Sequence, residues 1–256
     1  MYLPAAWRTE AAFAERRLAC GIPAETSVRT KQALALEMIQ AVVREGTLRG
    51  RWVTADEAFG RDTVFLDGVA ACGLWSFAEV PHDTSVGLAR PATVGPEWIG
   101  RGRKPTQPRL AAAAPMAQTV AAIAAHLPPE TWPPHLIKAG SQGPLLADFA
   151  CLRVVAVRDS LPGPDVWLSL RRPPETGELK TSLSTAPVDT PVATLARISG
   201  RRWPLATCLE DRQQLLGMGD YDVRSWTGWH HHLTLVMLAH FFVVRTRLNM
   251  KKKPRP

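Results

Sequence analysis

The stretch Arg51-Trp52-Val53-Thr54-Ala55-Asp56-Glu57-Ala58-Phe59-Gly60-Arg61-Asp62 decides how the rest of the chain is read. Its apolar run predicts a short buried strand, Trp52 to Ala55, that delivers the carboxylate of Asp56 at its C-terminal end. Gly60 breaks the run, and Asp62 is placed to start a new helix. In a sheet flanked by helices, strand ends are where reactive side chains collect, because the backbone stops there and the crevice opens. Asp56 is therefore a candidate for chemistry. The same residue types also cap helices and close turns, so Asp56 and Glu57 fit either role from this stretch alone.

Outward from this stretch the pattern alternates. Upstream, Leu34, Leu36, Met38, Ile39, Val42 and Val43 recur at helical spacing within Lys31 to Val43. Downstream, Phe65, Leu66 and Val69 predict a helix from Asp62 to about Cys72, ended by Gly73. Leu74 to Val80 reads as a second strand stopped by Pro81. Helix, strand, helix, strand is the signature of an α/β layer. Glu79 or Asp83 either joins Asp56 at the sheet edge or marks the wet face of its strand. The first 26 residues are mixed, with Tyr2, Leu3, Trp7 and Phe13 as apolar anchors.

Composition shifts at residue 85. Arg101-Gly102-Arg103-Lys104-Pro105-Thr106-Gln107-Pro108-Arg109 is a basic, breaker-rich loop, and no carboxylate lies between Glu97 and Glu130. Such a loop either follows a phosphate backbone or is an exposed linker. The alanine-rich Leu110 to Leu127 predicts a helix. Residues 135 to 185 predict a β-rich unit with strands at Leu136 to Ala139, Asp148 to Val157, Val166 to Leu170 and Leu179 to Ser184. Its turns include Leu161-Pro162-Gly163-Pro164-Asp165. Helices return at Thr190 to Ser199, Trp203 to Leu216 and about Thr227 to Arg247. The expected organisation is 1–84, 85–189, 190–250 and a basic tail at 251–256.

At 256 residues, 46% hydrophobic and 21% charged, the chain can bury a substantial core and is not of the disordered class. Its net charge is +8, and nothing after Asp222 is acidic, so Arg224, Arg245, Arg247, Lys251, Lys252, Lys253 and Arg255 place +7 in the last 34 residues. A basic end suits a polyanion such as DNA, or forms a solvated tail. Cys20, Cys72, Cys151 and Cys208 form no CxxC pair, which points away from zinc ribbons and disulfide scaffolds and toward a cytoplasmic compartment. The N-terminus carries no signal-peptide pattern. Leu233 to Val244 is short for a membrane span and contains His240, so it is expected to be a core helix with no membrane partner.

Trp52-Val53-Thr54-Ala55-Asp56-Glu57, the Gly-Arg-Gly-Arg-Lys-Pro loop and Arg202-Trp203-Pro204 together resemble the DDE transposases of bacterial insertion sequences. Asp148-Phe149-Ala150 and the run Val223-Arg224-Ser225-Trp226-Thr227-Gly228-Trp229-His230-His231-His232 look like the same group. The resemblance implies an α/β fold with an RNase H-like core, only part of it present, interrupted by a β-rich insertion. It also implies metal-dependent cleavage and transfer of DNA strands by three carboxylates that hold two Mg²⁺ or Mn²⁺ ions. In that clamp one ion activates the attacking oxygen and the other stabilises the leaving one, and hard cations call for oxygen ligands.

Asp56 matches the second acid of the set and is the metal ligand the resemblance assigns. The first acid corresponds to a position upstream of Met1, so the resemblance implies an N-terminally truncated, degenerate chain. The third acid belongs to the pattern Tyr-x-x-Arg-x-x-x-Glu-x-x-x-x-x-x-Lys. Counted from Arg202, its positions hold Ser199, Ala206 and Gln213. Glu210 lies one turn beyond Ala206, roughly 6 Å along the helix, and is a poor substitute for a ligand that must sit close to its ion. The implied function is an insertion-sequence transposase in a catalytically inactive form, a pseudoenzyme that does not hold Mg²⁺ or Mn²⁺ productively.

The alternative is a residual DNA-binding protein acting through Arg101, Arg103, Lys104, Arg202, Lys251, Lys252, Lys253 and Arg255. A homodimer is left open. A third reading is an unrelated cytosolic enzyme that uses Asp56 with the histidines. Against it, consecutive helical residues point about 100° apart, so His230, His231 and His232 cannot share one ion on a regular helix. They are expected to make polar contacts near Trp226 and Trp229.

Overall fold

A computed structural model of the chain describes all residues except 1–2, 48–49, 97–99, 103–106, 141–142, 174–175, 223 and 252–256. The chain divides into two compact units, Met1–Leu34 with Arg202–Pro256, and Ala35–Arg201.

The second unit is an α/β structure built on one mixed sheet. Its elements begin with the body of helix α3 (Lys31–Glu45), whose first turn belongs to the other unit, followed by β1 (Trp52–Ala55), α4 (Glu57–Gly60), α5 (Thr63–Ala71) and β2 (Trp75–Glu79). Short strands β3 (Ser85–Gly87), β4 (Thr93–Val94), β5 (Arg109–Leu110) and β6 (Gln118–Thr119) lead to α6 (Val120–His126). The strands β7 (Pro134–Gly140), β8 (Gly143–Arg158), β9 (Leu161–Arg172) and β10 (Lys180–Ser184) precede α7 (Val192–Ser199). The sheet order is β1-β2-β10-β9-β8-β3-β6, with β7 also paired to β8, while β4 and β5 form a separate two-stranded ribbon. Among the described residues only β1 and β2 are parallel, joined through α4 and α5, and β10 continues the sheet antiparallel to β2. The β-rich segment therefore shares one hydrogen-bonded sheet with the strand that ends at Asp56.

Alternation along the strands sorts the core onto two faces. Leu168, Leu170, Leu183, Ala150 and Val154 pack with Val120 and Ile123 of α6. On the same face, Ala55 and Ala78 pack beneath Phe65, Leu66 and Val69 of α5. The opposite face carries Phe77, Phe149 and Ala147 beneath Leu195 and Ala196 of α7. Leu168, Leu170 and Leu195 are fully buried, each contributing roughly 1.5–3 kcal/mol. Asp62 caps α5, accepting a hydrogen bond from Phe65 N at 2.9 Å, as the sequence predicts.

Two local expectations are overturned. The helix expected from Leu110 to Leu127 is present only as α6. Its first half is spent on β5 and β6, with Pro115 between them, and Thr119 caps the shortened helix through Ala122 N. The turn expected at Leu161 to Asp165 lies instead at Asp159 and Ser160, both with positive φ (49° and 64°), forming a two-residue connection between β8 and β9. That geometry matches strand twist, and the prolines are absorbed at the start of β9, where the pairing with β8 shifts register near Val155 and Val157.

The first unit is helical: α1 (Ala6–Thr9), a 3₁₀ turn (Ala11–Phe13) and α2 (Ala14–Ala19), then α8 (Arg202–Leu215) and α9 (Trp226–Lys251). Trp7 stacks on Phe13 at 5.3 Å, and Trp226 N donates to Cys20 O at 2.7 Å, tying α2 to the start of α9. Cys208 Sγ meets His240 Nε2 at 3.2 Å, and Arg247 reaches Asp211 at 3.4 Å, so α8 lies along α9.

The expectation of a core helix at Leu233 to Val244 fails. Val236 is buried, whereas Leu235, Met237, Leu238, Phe241 and Phe242 are exposed. The helix is apolar around most of its circumference rather than along one stripe, and α8 covers one side of it. Among the described residues, Trp226–Met250 is one helix long and apolar enough, by length and composition, to cross a membrane, in contrast to the expectation from the shorter run Leu233 to Val244.

Candidate active site at the ends of β1 and β2

Asp56 follows Ala55, the last residue of β1, and its backbone is still extended (φ −84°, ψ 179°). The register pairs Ala55 with Ala78, so Asp56 and Glu79 are the next positions on two adjacent parallel strands. By alternation both fall on the face of Phe77 and α7. Asp56 is half-buried and serves as N-cap of α4, with Oδ1 accepting from Phe59 N at 3.4 Å. The capping role that the sequence left open is thus the one the fold displays. Glu57 pairs instead with Arg61 one turn along, on the exposed side of α4.

Gly60 makes this placement possible. A Cβ there would collide with the carbonyl oxygen of Glu79 and touch Ala78 Cβ at 3.4 Å. Short helix α4 can lie against the end of β2 only with a residue that has no side chain.

Beside these strand ends is a polar cleft of about 100 Å³ lined by Glu57, Glu79, His82, Glu178, Lys180 and Thr181. His82 Nε2 lies 2.9 Å from Leu179 O, fixing the ring against the start of β10. Deeper on the α7 face, Glu79 shares a cavity of about 10 Å³ with Ser169, Arg171, Lys180, Ser182 and Ser199. Arg171 donates to Ser199 O at 3.1 Å and Ser199 Oγ at 3.2 Å, joining β9 to the end of α7. Glu79 therefore shares this small cavity with one guanidinium and one ammonium group. Among the described residues no group of three or more His, Cys, Asp and Glu stands close enough to hold a metal ion. The donor set does not fit a pair of hard divalent cations, which require several converging oxygens.

A family model described as DDE superfamily endonuclease matches residues 1–144. The chain belongs to this family. The match spans just over half of the 256 residues and contains Asp56, Glu79 and the basic loop. No curated protein matches the chain. DDE superfamily endonucleases act on DNA and generally use divalent metals such as Mg²⁺, a chemistry with which the described donors around Asp56 disagree.

The other residues singled out in this DDE chain are distributed as follows. Ala206 lies on α8, as does Glu210, which is exposed, and both belong to a different unit from Asp56. Arg101 is exposed at a bend in the connection between β4 and β5, flanked by Gly100 and Gly102 in left-handed conformations (φ 81° and 78°). Arg101 thus lies in the connection of a two-stranded ribbon, an arrangement the sequence did not signal. Arg103, Lys104, Lys252, Lys253 and Arg255 lie outside the described residues, and for Arg202 and Lys251 only the helical backbone is described.

The histidine run makes the contacts expected of it. His230 Nδ1 is 2.9 Å from Trp226 O, its ring packs on Trp226 and Trp229, and His232 packs on Tyr221. The signals the sequence reading missed are Glu178 and Lys180. They lie about a hundred residues from Glu79 and reach the cleft only through the pairing of β10 with β2.

Proposed function

We propose that the chain derives from an insertion-sequence transposase and now binds DNA without cleaving it. The observation that carries this reading is Asp56 at the end of β1, within the DDE-matched segment, with no two further acids among the described residues converging on it. One carboxylate that caps a helix cannot clamp two cations, and the third-acid position holds Ala206. In this reading β1, β2 and α5 belong to an RNase H-like core and residues 85–189 to an insertion, supported by the parallel β1–α4–α5–β2 unit. Binding is assigned to Arg101 in the β4–β5 ribbon and to Arg103 and Lys104 of the same basic sequence run, with Arg202 and the Lys251 to Arg255 tail as further cations. The compartment assigned is cytoplasmic.

The test is a paired assay on the purified chain with labelled duplex DNA. No nicking is expected with Mg²⁺ or Mn²⁺, while mobility shifts should weaken with salt, each lost phosphate contact lowering the log–log slope by about 0.9. Metal-dependent cleavage that disappears in Asp56→Ala would overturn the inactive assignment, and absent or salt-insensitive binding would overturn the DNA assignment.

A further inference from the structure

The charge of the chain is unevenly divided between its two units. Met1–Leu34 with Arg202–Pro256 holds 14 Lys and Arg against 7 Asp and Glu, and Ala35–Arg201 holds 17 against 16, so +7 of the net +8 falls on the helical unit. That unit also contains a groove of about 830 Å³ lined by Trp7, Arg16, Ala19, Cys20, Arg224 and Ser225, within the size range of about 300–1,000 Å³ that ligand sites occupy.

The lining follows from the local sequence. Arg16, Ala19 and Cys20 are spaced i, i+3, i+4, so they form one face of α2 and its C-terminal turn, while Glu15 points about 100° away from Arg16. Trp226 N donates to Cys20 O, which holds Arg224 and Ser225 opposite that face. Tyr221 OH donates to Ser225 O at 3.0 Å and fixes the turn before α9. Arg16 and Arg224 are both exposed, and neither has a carboxylate partner among the described residues. Trp7 is held in place by its stack on Phe13 and lines the same groove.

Two unpaired guanidinium groups and one anchored indole are the elements of a site for a strand that alternates phosphates with flat rings. Arginines hold the backbone, and an aromatic platform takes a base that is free to leave its neighbours. A duplex offers the phosphates but not the base face, because its bases are stacked on one another.

We propose that the Trp7–Arg16–Arg224 groove binds single-stranded DNA, with phosphates on Arg16 and Arg224 and a base on Trp7. The proposal rests on the reading of the chain as DNA-binding, and assigns the helical unit a contact separate from the β4–β5 ribbon. In this arrangement the ribbon engages duplex and the groove takes a melted or overhanging strand.

The test is fluorescence anisotropy of the full chain with labelled oligothymidylate and with a duplex of equal length, over a salt series. Arg16→Gln with Arg224→Gln should reduce the single-strand slope of log K against log salt by about 1.4, since each phosphate contact contributes about 0.7. Trp7→Leu should weaken single-strand binding by about tenfold, as loss of one stacked base does. Trp7→Phe, which keeps a ring against Phe13, should retain most of it and so separates stacking from unfolding. Duplex binding should be unchanged in all of these variants. Wild-type single-strand affinity and slope in the arginine double variant would overturn the proposal, as would equal losses on single strand and duplex. Wild-type protein that binds oligothymidylate but not duplex would leave the groove supported and refute the ribbon assignment. Wild-type protein that binds neither would refute both.

Discussion

Replacing Gly60 with alanine tests whether the end of β1 is held where the structure puts it. Gly60 is the last residue of α4, and its Cα faces the backbone of β2 so closely that an added Cβ would overlap the Glu79 carbonyl oxygen and approach the Glu79 carbonyl carbon to 3.0 Å. A backbone carbonyl cannot rotate away as a side chain can, so α4 must lift off the strand or β2 must shift. Overpacking of this kind costs about 1–3 kcal/mol where neighbours can adjust, and the rigid obstacle here places Gly60→Ala at or above the upper end. For a chain of this size each kcal/mol lowers Tm by about 2–4 °C, so a fall of roughly 6–12 °C is expected.

Two other glycines calibrate the result. In Gly68→Ala the obstacle is the end of the Leu36 side chain, which can change rotamer, and alanine is the better helix former by about 1 kcal/mol, so the net change should be small. Gly73 has no neighbour within 4 Å but a φ of +71°, so Gly73→Ala should cost about 1–2 kcal/mol through backbone strain alone. The expected order of loss, read by urea and thermal unfolding, is Gly60 greater than Gly73 greater than Gly68. A Gly60→Ala protein as stable as the Gly68→Ala protein would refute the close seating of α4 on β2, and with it the adjacency of Asp56 and Glu79.

Two further outcomes follow from the same region and from the sheet. Asp62 Oδ1 caps α5 at 2.9 Å and Asp56 Oδ1 caps α4 at 3.4 Å, so Asp62→Ala should cost about 1 kcal/mol and Asp56→Ala distinctly less in denaturant titrations. The reverse order would show that Asp56 has a stronger partner than its cap. Burial pushes the Cys151 thiol up from 9.0 to about 11, with the hydrogen bond to Ser169 Oγ pulling the other way. The folded state thus keeps its proton where the unfolded state loses it, and the associated stability is present below pH 9 and lost as pH rises toward 11. Relative to Cys151→Ala, the wild-type chain should lose about 2–3 kcal/mol across that window, and parallel pH profiles for the two proteins would refute it.

What was legible in the sequence was what short-range chemistry determines. Trp52 to Ala55 is a short apolar run followed by a turn-forming carboxylate, and β1 has those same limits. Asp62 precedes an apolar stripe and caps α5 as expected. The misread stretches are those where a distant partner decides the outcome. Leu110 to Leu127 has good helix composition, but Gln118 and Thr119 pair with β3, and strand pairing takes the first half away from the helix. The prolines at 162 and 164 look like a turn until β8 supplies a partner and Asp159 and Ser160 take the left-handed conformations instead. For α9 the apolar content was read correctly and its burial was not, because a run without a stripe does not say how many neighbours it has.

The same distinction governs the candidate site. Asp56 was visible because it ends a strand, whereas the charge that surrounds Glu79 was not, since Arg171 and Lys180 arrive on β9 and β10. These cations change what the strand ends can do. A carboxylate free to bind a divalent ion must give up little to do so, whereas Glu79 lines a small cavity together with a guanidinium and an ammonium group. Moving a cation in would leave Arg171 and Lys180 facing added positive charge at short range, where the local dielectric is low and repulsion is strong. In the proposed reading, the cations that β9 and β10 bring to the end of β2 disfavour a metal ion there.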